Sequence, residues 1–126
     1  MPVMKPIERG LTDALAHGRA PRWLAFHRES EVLADKAHDA TRRFHFRAAQ
    51  KFYQAAAENE ELALEELSTF SSALPRTYGV IAVSTVALFL KAGCVSKSKA
   101  LIKDLLGAGG FPRFAIKQLR EIQVQL

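Results

Sequence analysis

The longest apolar stretch of the chain runs from Tyr78 to Leu90, and it contains no charged residue. Ser84 and Thr85 are its only clearly polar members. A helix drawn through this stretch is apolar on nearly every side, so other elements must cover most of it. Charged residues lie close to both of its ends, and it is shorter than the roughly 20 apolar residues that span a bilayer. The pattern therefore predicts a buried core helix and no membrane segment.

Apolar residues elsewhere in the chain recur at helical spacing, and proline, glycine or polar residues separate these segments. Asn59 is placed to cap one helix, and Gly93 to close another. No strand is predicted, because the β-branched run at 80–86 would have no partner strand for its backbone. We expect an all-α fold, a compact array of six to seven antiparallel helices, over residues 3–17, 21–41, 44–58, 60–73, 76–92, 97–107 and 112–124.

The length of 126 residues suits one domain. Residues 1–20 are expected to form an N-terminal helix or flexible arm, and residues 21–126 a single helical domain. The first ten residues lack the apolar region of a signal peptide, and a lone cysteine, Cys94, rules out an intrachain disulfide. These features lead us to expect a cytoplasmic protein.

Two segments share a layout of helix, tight turn and helix, with small and large apolar residues spaced four and three apart. They span residues 34–60 and 83–112, and their corresponding points, Ala49 and Ser98, lie 49 residues apart. Both resemble the tetratricopeptide (TPR) repeat, although the period of that family is about 34 residues. The packing positions that carry the resemblance are Ala37, Phe46, Ala49, Tyr53 and Ala56 in the first segment and Gly93, Val95, Ser98, Ile102 and Leu105 in the second.

The resemblance implies a peptide-binding groove, lined by the first helix of each unit. The lining positions would be Glu31, Ala34, His38, Thr41 and Arg42 in the first unit and Val80, Val83, Ala87, Leu90 and Lys91 in the second. The Lys and Asn clamp with which some members of the family bind a peptide carboxylate is missing. The second set is apolar, so we expect that it is covered by other helices or forms a hydrophobic groove or dimer surface.

Charge is unevenly distributed along the chain, whose formal net charge is +5. Residues 51–74 contain one Lys or Arg against five Asp or Glu, whereas residues 75–126 contain eight against two. The acidic run at 58–66 is expected to be a solvated helix face. The cations of the last two predicted helices form the only sizeable group of one sign, and such a face is able to hold phosphates. They are Lys97, Lys99, Lys103, Arg113, Lys117 and Arg120.

Candidate chemistry is sparse. His27 and Glu31 have the i,i+4 spacing that places two metal ligands on one helix face, but the chain has no HExxH or CxxC motif. We therefore expect His27, His38 and His45 to be surface residues. Cys94 has lysines but no histidine near it in the sequence, and the glycines at 107–110 lack the Lys-Ser/Thr ending of a phosphate loop. No catalytic, cofactor-binding or metal-binding residue is predicted.

These observations favour a non-catalytic protein-interaction or scaffold module, which binds a protein partner or a second copy of itself as a homodimer. The first alternative is a nucleic-acid-binding module that uses the basic helices at 97–120, and the second is a metal or hydrolytic enzyme without a recognisable motif. The residues predicted to contact the partner are Tyr78, Lys91, Lys99, Lys103, Arg113, Lys117, Arg120, His38 and Arg42.

Overall fold

A computed structural model describes residues 21–69 and 72–126 of the chain. These residues form five helices and no strand, so the all-α prediction is confirmed for this part of the protein. The predicted helix at 3–17 lies outside the described residues. The helices are α1 (Arg22–Arg42), α2 (Phe46–Ser68), α3 (Pro75–Lys91), α4 (Val95–Ala108) and α5 (Arg113–Gln125).

The predicted break between a helix at 44–58 and another at 60–73 is wrong, because α2 runs without interruption from Phe46 to Ser68. Asn59 does not cap a new helix. Its side-chain Nδ2 donates a hydrogen bond to the carbonyl of Ala55, one turn earlier in the same helix, at 3.0 Å. Alanine, glutamate and leucine dominate the residues on both sides, and their helix propensity outweighs the weak turn preference of one asparagine.

The helices pack in chain order, α1 on α2, α2 on α3 and α3 on α4, and α5 returns to pack on both α3 and α4. α2 runs antiparallel to both α1 and α3. Glu60 in α2 bonds Ser84 of α3, whereas Gln50, ten residues earlier in α2, bonds Ala92 just beyond the end of α3. Among the described residues, α1 and α3 do not approach each other directly, so α2 separates their backbones.

The turns that join α1 to α2 and α3 to α4 have the same geometry, 49 residues apart. In the first, the His45 N–H donates to the Ala40 carbonyl at 2.8 Å; in the second, the Cys94 N–H donates to the Phe89 carbonyl at 2.9 Å. Both are Schellman turns, which place one residue in the left-handed conformation. That residue is Gly93 in the second turn, with φ of 81°, but Phe44 in the first, with φ of 63°.

Replacement of Phe44 by glycine is expected to stabilise the fold by about 0.5–1 kcal/mol, because a side chain costs energy in the left-handed region. Little burial is lost, since Phe44 is 78% exposed. The converse change, Gly93→Ala, should destabilise the fold, because its Cβ would lie 3.0 Å from Nε2 of Gln50 and the φ is positive. Urea unfolding of both variants measures the two effects. A destabilised Phe44→Gly variant would contradict the assignment of strain to this position.

The helix predicted from the Tyr78–Leu90 stretch is the centre of the core, and α3 contributes to both clusters of buried apolar side chains. Ile81, Ala82 and Val86 are fully buried. Gly79 lets α5 come close, because a Cβ at this position would lie 3.1 Å from the Cβ of Ala115. None of the helices in residues 21–69 and 72–126 is both long enough and apolar enough to cross a membrane.

Candidate functional site between the two helical hairpins

A buried carboxylate lies where α1, α2 and α3 meet. Glu60 in α2 is only 2% exposed. Its Oε1 is 2.8 Å from Nδ1 of His27 in α1, and its Oε2 accepts a hydrogen bond of 2.6 Å from the Ser84 hydroxyl in α3. The other ring nitrogen of His27, Nε2, is 2.7 Å from Oε1 of Glu31. One buried carboxylate therefore connects side chains from three helices.

This arrangement favours the charged form of His27. Burial of the ring lowers its pKa, but the hydrogen bond to Glu60 and the charges of Glu60 and Glu31 more than offset burial and the repulsion from Arg28. The pKa of His27 is therefore raised above the ordinary value of 6.5. Each ring nitrogen of an imidazolium is a donor, and each faces a carboxylate oxygen here. The expectation that His27 is a surface histidine is wrong.

The raised pKa of His27 predicts that stability depends on pH. A group with a higher pKa in the folded than in the unfolded state contributes fully below its unfolded value, and the contribution disappears as the pH rises through the folded value. The free energy of unfolding should therefore fall as the pH rises above 6.5. Urea unfolding of the natural chain and of His27→Gln over this range isolates the effect. An equal pH dependence in both proteins would contradict it.

The order of groups in this cluster does not suit nucleophilic catalysis. In a serine triad, a histidine accepts the proton of the serine, and a carboxylate orients the histidine. Here the carboxylate of Glu60 lies between Ser84 and His27, and both ring nitrogens already face carboxylates. Within the described residues, no group of three or more His, Cys, Asp or Glu side chains is arranged to hold a metal ion. The geometry of the cluster supports a structural role, in which Glu60 links side chains of three helices.

α1 and α3 both pack on α2. At one point, His27 on α1 and Ser84 on α3 both contact Glu60. Further along both helices, Thr41 on α1 and Lys91 on α3 line one pocket; Thr41 is fourteen residues after His27, and Lys91 is seven residues after Ser84. Both pairs lie over α2, which forms the floor. We call the space between α1 and α3 over α2 the inter-hairpin groove. The TPR resemblance assigns to it Glu31, Ala34, His38, Thr41 and Arg42 on α1 and Val80, Val83, Ala87, Leu90 and Lys91 on α3, and of these Thr41 and Lys91 line the same pocket. None of these ten residues is buried.

A pocket of about 420 Å³ closes one end of the groove, beside the two matched turns. We call it the turn-end pocket. Gln50 ties its two sides together, because its Nε2 donates a hydrogen bond of 2.9 Å to the carbonyl of Ala92. Lys91 lies 5.8 Å from the centre of the Tyr53 ring, an arrangement of cation over aromatic face. The lining residues are Thr41, Phe46, Ala49, Gln50, Tyr53, Lys91, Ala92 and Gly93.

The structure separates the residues that were predicted to contact a partner. Tyr78 is buried and its ring stacks on Phe111, with centroids 4.6 Å apart, so most of the ring is inaccessible to a partner. Burial also raises the pKa of Tyr78. Lys91, His38 and Arg42 are exposed along the inter-hairpin groove. The remaining cations are exposed on α4 and α5, at Lys99, Lys103, Arg113, Lys117 and Arg120.

Two features of the site escaped sequence reasoning. Glu60 belongs to the acidic run that was expected to be solvated, and that expectation is wrong at this position because Glu60 is buried among three helices. Phe44 and Phe46 are exposed aromatic residues in the described part of the chain, so the expectation that Phe46 is a packing position of a repeat is wrong. The sequence did contain an indication of their exposure, because both phenylalanines lie among arginines in the segment RRFHFR at 42–47.

Comparison of the chain with protein-family models, with curated proteins and with solved structures finds no match. Functional inference for this protein therefore depends on the geometry of its own side chains.

Proposed function

We propose that the chain is a non-catalytic protein-interaction module of helical-repeat type, with TPR-like hairpins, and that it binds a partner in the inter-hairpin groove. The observation that carries the proposal is the apolar row on α3. Val80 is 39% exposed, and Val83, Ala87 and Leu90 are partly exposed, although the opposite side of the same helix is buried. An accessible apolar surface beside a polar rim is typical of a protein-binding site.

The matched turns support the helical-repeat part of the proposal. Small residues at equivalent points of both hairpins are buried, with Ala49 at 4% exposure in the first and Ser98 at 0% in the second. Such residues let two helices approach closely, as a repeat requires. The length of α2, whose 23 residues exceed the 14 of α4, contributes to the long spacing of 49 residues.

A photo-crosslinking amino acid at position 87 tests the proposal, because Ala87 is partly exposed in the middle of the groove. The same amino acid at Gln118, which is exposed on α5, is the matched control. We expect a discrete protein adduct in the native host from position 87 and not from position 118. An adduct of twice the mass of the chain would identify the partner as a second copy. The proposal fails if position 87 gives no adduct or if both positions give the same set.

A nucleic-acid-binding module remains the second candidate, because three cations of α5 surround one shallow depression. Arg113, Lys117 and Arg120 line it together with Ile116, Glu121 and Val124. If this face binds phosphates, the chain should retard RNA or DNA in a mobility-shift assay at low salt, and Lys117→Glu should abolish the shift. The absence of any shift at low salt would exclude this candidate.

A further inference from the structure

The end of the first hairpin exposes two aromatic rings to solvent. Phe44 is 78% exposed and Phe46 is 62% exposed, and their ring centroids lie 6.1 Å apart in an edge-to-face arrangement. Phe44 also occupies the left-handed region, where the second hairpin has Gly93. Neither the exposure nor the backbone strain benefits the folded chain by itself. Strained positions of this kind cluster at binding sites.

The turn-end pocket, which lies against Phe46, suits an apolar side chain. Ala49 and Tyr53 form part of its wall, and two of its polar groups already have partners within the chain. The Thr41 hydroxyl donates a hydrogen bond of 2.9 Å to the Ala37 carbonyl, and Gln50 donates its bond to Ala92. A guest that needs hydrogen bonds in this pocket finds these donors engaged, whereas an aliphatic or aromatic side chain does not need them.

The surroundings of the pocket are basic. Arg42, Arg43 and Arg47 flank the two phenylalanines, and Lys91 lies at the pocket itself. One carboxylate, Asp39, faces two of the arginines, at 3.5 Å from Arg42 and 3.1 Å from Arg43. Lys91 and the three arginines, which lie close to the lining residues Thr41 and Phe46 in the sequence, are four cations against one anion, a surplus of three positive charges beside an apolar pocket. The charge complement of this surface is an acidic one.

We propose that the turn-end pocket binds an acidic segment of a partner protein, inserting one leucine or phenylalanine side chain while neighbouring aspartates or glutamates face the cations. This inference rests on the proposed protein-binding function and names the chemistry of the partner. The apolar side chain supplies the anchor, since one buried side chain typically dominates such contacts. The carboxylates fix the direction of the segment and speed its association.

A single-stranded nucleic acid suits this site less well. Bases have polar edges, and two groups of the pocket that could bond them, the Thr41 hydroxyl and one N–H of Gln50, already donate hydrogen bonds within the chain, so burial of unpaired base edges costs free energy. Successive bases also stack on aromatic rings in roughly parallel planes. The planes of Phe44 and Phe46 are 78° apart, so the pair does not form such a platform.

The test uses the full chain and a fluorescent peptide of about twelve residues, with one central leucine among glutamates and aspartates. Two further peptides replace the leucine by serine or all acidic residues by lysine, and an oligouridylate of similar charge serves as the nucleic-acid probe. We expect the acidic leucine peptide to bind, with an affinity that falls as salt is added. The serine and lysine peptides should bind about tenfold more weakly or not at all, as loss of an apolar anchor or of charge complementarity implies.

Substitutions in the turn-end pocket test whether the acidic peptide binds there. Lys91→Glu and Phe46→Ser should each weaken the acidic peptide about tenfold, because they alter the charge and the rim of the pocket. The matched controls are Lys36→Glu, which makes the same charge reversal, and Val32→Ser, which likewise replaces an exposed apolar side chain by serine; both lie at exposed positions of α1. These controls should change the affinity less than twofold. Circular dichroism of each variant verifies that the helices remain.

Three results would overturn the inference: no binding of the acidic peptide, equal effects of the pocket and control variants, or tighter binding of the oligouridylate at the same pocket. If the acidic peptide does not bind but position 87 gives a protein adduct, only the proposed acidic chemistry of the partner is excluded. Failure of both experiments would remove the proposed function as well.

Discussion

His27→Ala is expected to lower the free energy of unfolding by about 3–5 kcal/mol, the typical cost of removing one partner from a buried ion pair. The substitution leaves Glu60, at 2% exposure, with its charge and with only the Ser84 hydroxyl to compensate it. Urea unfolding monitored by circular dichroism measures the loss. His38→Ala is the matched control, because His38 is exposed on the same helix and its loss should change stability by less than about 0.5 kcal/mol.

A second substitution distinguishes an unpaired charge from a simple loss of packing. Glu60→Gln removes the charge but keeps the shape, so in the His27→Ala background it should restore part of the lost stability. In the natural chain the same change should be destabilising, since it breaks the pair with His27. A Glu60→Gln change that destabilises both backgrounds equally would contradict a role for the unpaired charge.

Ile81→Ala is expected to destabilise the fold by about 2–5 kcal/mol, because the side chain is fully buried and its removal leaves a cavity in the larger core cluster. Its neighbour Val80 is 39% exposed along the inter-hairpin groove, so Val80→Ala should cost less than about 1 kcal/mol. Both changes replace a β-branched residue by alanine in one helix, which makes their helix propensities comparable. Denaturation of the two variants compares the faces of α3 directly.

Similar losses from the two α3 variants would contradict this division of the helix into a core face and a groove face. The comparison also bears on the proposed function. A groove residue that contributes little to stability remains available to a partner, whereas a core residue does not.

The sequence pattern predicted which segments are helical and which helix is buried better than it predicted where helices begin and end. The uncharged stretch at 78–90 requires burial whatever the topology, so α3 was predictable as a core helix. The continuity of α2 through position 59 was not predictable, because the single asparagine there gives a local turn signal that the surrounding helix-forming residues override. The strained turn was also missed, since Phe44 is an unusual residue at a position where glycine is preferred.

The candidate site depends on long-range pairings that no local pattern encodes. Glu60 bonds residues 33 and 24 positions away, and the glutamates around it in the acidic run look the same in the sequence. The spacing of His27 and Glu31 correctly placed them on one face, and they are in contact at 2.7 Å. What the spacing does not reveal is α2, whose Glu60 lies against His27 and makes the pair part of a buried network.

Because α2 is continuous, it holds two parts of the candidate site at a fixed distance from each other. Gln50 marks the turn-end pocket and Glu60 marks the buried network, and a rigid helix fixes them roughly 15 Å apart at 1.5 Å per residue. An extended polypeptide advances roughly 3.3 Å per residue, so about five residues cover the same distance. Under the proposed function, an extended segment anchored in the turn-end pocket would bring the side chain about five positions away close to Glu31, which contacts His27 beside Glu60. One uninterrupted helix therefore fixes the distance between the turn-end pocket and the buried network.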